Sequence, residues 1–122
     1  MPLISLVLAT FTALLHVGIF VLESVLWTRP DVWQQFGVKS QADAEVARPL
    51  AFNQGFYNLF LALGLFGGLI LGGSAGHGVV VFCCLAIVGA ALVLATTGKA
   101  YLRPAFIQGI LPALALLAAV IW

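Results

Sequence analysis

The chain has 122 residues, 63% of them hydrophobic and 7% charged, with a formal net charge of +1. A soluble domain of this size carries about a quarter charged residues, so the composition excludes an ordinary soluble globule and points to an integral membrane protein. The nearly balanced charge leaves no basic footprint for nucleic acid, and no nucleic-acid partner is expected.

Four apolar runs can be read, at about residues 3–27, 50–71, 79–97 and 104–122. Each is near the ~20 residues that cross a hydrocarbon core of about 30 Å. The runs are continuous and show no period-two alternation. The expected fold class is therefore all-α, a single transmembrane domain built as a four-helix bundle. The first run has no basic region before it and no small-x-small cleavage pattern after it, so it reads as a span rather than a signal peptide.

The first run carries the ionisable side chains His16 and Glu23. They are seven apart, which places them on one helix face, and Thr12 and Trp27 extend that face at four-residue steps. A carboxylate within a span is a functional candidate by default. Glu23 lies six residues before Arg29, roughly 9 Å below that basic edge, with His16 about 10 Å deeper.

The connection 28–49 is polar. Pro30 to Gly37 reads as a short helical turn opened by proline and closed by glycine. Trp33 and Phe36, three apart, are placed to dip into the headgroup zone. Ser40-Gln41-Ala42-Asp43 has the Ser-x-x-acid pattern of a helix start. The second helix is thus expected to begin near Gln41, outside the bilayer, and to be interrupted or kinked around Pro49. A disordered linker over residues 37–42 is the alternative.

Just inside the second run stands Asn53-Gln54-Gly55-Phe56-Tyr57-Asn58. Three amides and a phenol are costly where lipid cannot satisfy them. Asn53 and Tyr57 share one face, and Gln54 and Asn58 an adjacent one. Gly64, Gly67 and Gly68, with Gly89, Ala90 and Ala91 on the third run, mark close helix contacts. Residues 72–78 read as a glycine-rich turn. Cys83 and Cys84 are adjacent, lack the C-x-x-C spacing of a redox or metal pair, and read as buried, reduced filler. Thr96, Thr97, Lys99 and Tyr101 close the third run, 98–103 is a short basic turn, Gln108 opens the fourth run, and Pro112 should bend it.

All the basic residues, Arg29, Lys39, Arg48, Lys99 and Arg103, fall on the first and third connections. By the positive-inside rule that side is cytoplasmic and both termini face outward, as expected of a multi-pass protein of an inner (cytoplasmic) membrane. Polar groups from all four helices then converge on the cytoplasmic half. Glu23 and His16 are the candidate acid/base pair, since desolvation suits a carboxyl to proton transfer. Asn53, Gln54, Tyr57, Asn58, Trp27, Gln108, Tyr101, Arg48 and Arg103 are candidate ligand-binding residues. A metal is not expected, because one His and one Glu fall short of a zinc set and His77 lies in the opposite turn. Plainer readings stand beside these: the amides as glue between helices, and Glu23 in an ion pair with Arg48 or Arg103.

His16, Glu23 and Trp27 together with Asn53-Gln54-Gly55-Phe56-Tyr57-Asn58 resemble a family of small bacterial four-helix membrane proteins, of the domain of unknown function 1304 type. That resemblance covers nearly the whole chain and implies the architecture without an activity. Arg48 and Asn53 also match an Arg-x-x-x-x-Asn pattern, and with Gly98-Lys99, Arg103 and Leu111-Pro112 they resemble the membrane-associated eicosanoid and glutathione metabolism proteins (MAPEG). This second resemblance implies a trimer that binds glutathione as a cofactor between subunits. The glutamate expected three residues after the asparagine is Phe56 here.

The expected function is to bind, or bind and transform, a small lipophilic or amphipathic molecule in a polar pocket open to the cytoplasm. A homo-oligomer, dimer or trimer, is compatible with that. The alternatives are a small oligomeric proton-coupled transporter or exporter subunit, and a non-catalytic membrane assembly factor.

Overall fold

The computed structural model describes residues 1–121. Among them the chain is all-α, with α1 (Leu3–Phe20) running into a π turn (Val21–Val25), then α2 (Pro30–Trp33), α3 (Gln41–Leu71), α4 (Gly73–Thr97) and α5 (Leu102–Ile121). Four helical stretches are long and apolar enough to cross a membrane: Leu3–Val25, Gln41–Leu71, Gly73–Thr97 and Lys99–Ile121. The expected end of the last run at Trp122 lies outside the described residues.

Several expected boundaries move. The glycine-rich stretch 72–78 is not a turn, since α4 already starts at Gly73. The reversal is confined to Gly72 and Gly73, both at positive φ, 65° and 63°, a region that favours glycine. Inside a membrane a glycine in a helix can gain close packing, as Gly76 does. A Cβ at Gly68 would lie 2.9 Å from the Gly76 carbonyl oxygen, and one at Gly76 would meet the Gly68 carbonyl. The third span therefore begins well before residue 79.

The second helix begins at Gln41 as expected, and Pro49 lies inside α3 without interrupting it. A proline takes away the donor for the carbonyl four residues earlier. That carbonyl belongs to Glu45, an exposed residue on the charged stretch where α3 begins, so water can satisfy it. At ~1.5 Å per residue a helix of 31 residues reaches roughly 45 Å, longer than a ~30 Å hydrocarbon core. The polar end of α3, from Gln41 to Arg48, is the part that projects.

The chain divides into two compact units, one of Met1–Leu15 with the residues from Leu61 onward, the other His16–Phe60. In the first, α4 packs against α5, with Ala91 so near Gly109 that a Cβ there would come within 2.8 Å of the alanine's own. Ser5 Oγ donates to the Ala115 carbonyl (3.0 Å), and Cys83 and Cys84 are buried and unbridged. Pro112 is buried within an unbroken α5.

The second unit is built around indoles. Trp27, Trp33, Ala44 and Ala51 form a buried cluster, with Phe36, Val38 and Ala47 packed against it. Trp33 therefore points inward rather than into the headgroup zone. Its Nε1 donates to Gln41 Oε1 (3.0 Å), while Trp27 Nε1 donates to the Ala44 carbonyl (2.9 Å). A buried indole needs such an acceptor, and both are found on the projecting turns of α3. Gln41 Nε2 in turn donates to the Thr28 carbonyl (3.1 Å). Ser40 Oγ accepts from the Asp43 N–H (3.1 Å), the N-cap contact its spacing implies. Gly37, left-handed at φ 79°, ends the Pro30–Phe36 helical turns. Residues 28–40 are thus a folded clasp on the start of α3.

Candidate binding groove

The site lies wholly in the His16–Phe60 unit. It starts from an irregularity in α1: at Val21–Val25 the hydrogen bonds widen to π spacing, and the Leu26 N–H reaches the Val21 carbonyl (2.9 Å). Such π turns are rare in helices and concentrate at functional positions. Glu23 sits in the middle of this one and is buried, at 8% exposure.

Two contacts fasten the π turn to α3. Asn58 Nδ2 donates to Glu23 Oε1 (2.8 Å) and also to the Gln54 carbonyl (3.1 Å). Next to Glu23, Ser24 Oγ donates to the Phe52 carbonyl (2.8 Å). This approach depends on Gly55, because a Cβ there would run into the Ser24 side chain. An edge-to-face pair of Phe20 and Phe56, centroids 5.1 Å apart, completes the seam. Gly55 is thus what allows the carboxylate and the amide to meet.

Beside the seam an open groove of about 390 Å³ is lined by Glu23, Trp27, Val38, Ala47, Leu50, Ala51, Asn53, Gln54 and Tyr57. The floor is largely apolar, and Glu23 is its one formally charged residue. Asn53, Gln54 and Tyr57 are exposed, and their side chains make no hydrogen bond among the described residues. Asn58 stands behind the wall, buried and committed to Glu23. The polar stretch therefore divides in function: one amide holds the helices, while two amides and a phenol face the opening.

The other candidates fall elsewhere. His16 is fully buried and does not line the groove. Arg48 is exposed and outside the lining. Gln108, Tyr101 and Arg103 belong to the other unit. The ion pair considered for Glu23 does not form: the one ion pair among the described residues joins Arg29 to Asp31 (3.0 Å), both exposed.

Sequence reasoning missed Val38, Ala47, Leu50, Ala51, Ser24 and the π turn. Ala47, Leu50, Ala51 and Gln54 follow three- and four-residue helical spacing, a signal already present in a helix that starts near Gln41. Ser24 and the π turn carry no comparable signal.

Four spanning-length apolar helices and no strand among the described residues define the class, an all-α multi-pass membrane protein. Residues 10–120 match the family described as a protein of unknown function (DUF1304), and the chain belongs to that family. No curated protein and no solved structure matches it.

Proposed function

We infer that the groove binds a small lipophilic or amphipathic molecule at the basic end of the membrane spans, taken to be the cytoplasmic face of an inner membrane. One juxtaposition supports this: Glu23 and the uncommitted Asn53, Gln54 and Tyr57 border an otherwise apolar, open groove. At membrane depth such groups need partners, and a ligand's polar head supplies them while Leu50, Ala51 and Ala47 receive its apolar part. A homo-oligomer, dimer or trimer, fits the same reading, since a neighbouring copy would shelter the open side. Glutathione gains no support, because the matching Arg48 does not line the groove and no other cation does.

The test is unbiased lipid and metabolite identification on the purified protein, followed by thermal melting with whatever is found. Glu23→Gln and Asn53→Ala should remove ligand-dependent stabilisation and leave the fold intact. If both variants fail to insert or fold, the residues serve only to join helices and the assembly-factor reading stands instead.

A second reading has its own support, in that Glu23 is a carboxyl group within a span and forms no ion pair among the described residues. In this reading the chain is a subunit of an oligomeric proton-coupled transporter. It requires pH-gradient-driven flux in liposomes that vanishes with Glu23→Gln. Flux unchanged by that substitution removes Glu23 from any proton path.

A further inference from the structure

The charge balance of the groove narrows what it can take. Glu23 is the lining's one acid, and no lysine, arginine or histidine lines it. Asn58 offers the carboxylate a dipole, not a counter-charge, and the one ion pair among the described residues lies elsewhere, between Arg29 and Asp31. A carboxylate near lipid without a counter-charge is costly. An incoming cation removes that cost, whereas an anion adds a second like charge.

The rest of the lining favours the same sign. Trp27 and Tyr57 offer aromatic surface, which attracts cations through the negative face of the ring. Asn53 and Gln54 each carry an amide oxygen that accepts hydrogen bonds. The volume of about 390 Å³ falls at the lower end of the ~300–1,000 Å³ of small-molecule sites, enough for a compact head and the start of a tail.

We propose that the groove selects an amphipathic organic cation, an ammonium-type head carrying an apolar tail. This rests on the binding reading above and names its ligand class. A zwitterionic lipid head fits less well, because its phosphate would find no basic side chain in the lining.

Three amphiphiles with one tail and different heads make the test: dodecyltrimethylammonium, dodecylphosphocholine and dodecyl sulfate. Each is titrated below its micellar concentration into protein held in a neutral maltoside detergent, and binding is read by tryptophan fluorescence and thermal melting. The trimethylammonium compound should bind wild type at least about tenfold more tightly than the other two, a factor worth ~1.4 kcal/mol. Glu23→Gln keeps an acceptor for Asn58 while deleting the charge, and should erase the preference. Leu50→Trp, which fills the groove from an exposed position, should block binding of all three.

If the sulfate or the phosphocholine binds best and Leu50→Trp blocks it, the cation inference is wrong and the binding reading survives. If no amphiphile responds to Leu50→Trp, both fall. If Glu23→Gln does not fold, the wild-type ranking and the Leu50→Trp block still decide the matter.

Discussion

Asn58 spends both amide protons in one place, donating to Glu23 Oε1 at 2.8 Å and to the Gln54 carbonyl at 3.1 Å. One side chain thereby ties the π turn of α1 to α3. Removing one partner of a buried hydrogen bond costs about 1–3 kcal/mol, while replacing both by apolar groups can be nearly neutral. Asn58→Leu alone should therefore destabilise the protein by that amount. The double variant Glu23→Leu with Asn58→Leu should cost less than the sum of the two singles, with a coupling of about 0.5–3 kcal/mol. Equilibrium unfolding in mixed micelles measures this cycle, and strictly additive losses would show that the two residues do not cooperate.

Gly55 supplies a second prediction. Gly55→Ala places a methyl group against Ser24 and should cost about 1–3 kcal/mol as overpacking. Ser24→Gly in the same chain should recover part of the loss, although it also gives up the bond to the Phe52 carbonyl. Gly67 is the control. It lies in the same helix, and a methyl group added there would meet nothing within 4 Å. Gly67→Ala should therefore be neutral or stabilising by up to ~1 kcal/mol through helix propensity. Equal losses at positions 55 and 67 would contradict the seam.

These residues also show where reading the chain alone succeeds. Four continuous apolar runs are enough to state four spans, because a helix must satisfy its own backbone in lipid. The same cost singles out Asn53, Gln54 and Tyr57, which border the groove, and Asn58, which does not. Gly72 and Gly73 do make the reversal, whereas Gly76 misleads because a glycine that breaks helices in water packs them in membranes, here against Gly68. Trp33 misleads because an indole suits an interface or an interior equally well; Gln41, eight residues on, decides for the interior. The π turn at Glu23 depends on how α1 meets α3, a long-range contact that no local pattern encodes.

The clasp over α3 yields a third prediction. Trp27→Phe keeps most of the ring contact with Phe36, whose centroid lies 5.3 Å away, and removes the Nε1 bond to the Ala44 carbonyl. A net loss of about 0.5–1.5 kcal/mol is expected for one such bond. Because the bond closes the base of the loop formed by residues 28–40, hydrogen exchange should accelerate in that segment and stay slow in α4 and α5. Uniform acceleration along the chain would mean that the clasp and the spans unfold as one.

The placement of basic residues gives the last prediction, on orientation. The first and third connections and the helix turns next to them carry Arg29, Lys39, Arg48, Lys99 and Arg103, and the Gly72–Gly73 reversal carries none. Insertion retains positively charged connections on the cytoplasmic side, so tags at either terminus should be reached only from outside. Ser74→Lys with His77→Lys adds positive charge at the start of α4, beside the reversal, and should weaken or invert this preference, more so when Lys99 and Arg103 are changed to Gln. Thiol labelling at Lys39→Cys, on the exposed clasp, reads the opposite face independently of the tags. It should be blocked in intact cells and open in inverted vesicles. Labelling of Lys39→Cys from outside, with cytoplasmic tags, would reverse the orientation and put the groove on the other face of the membrane.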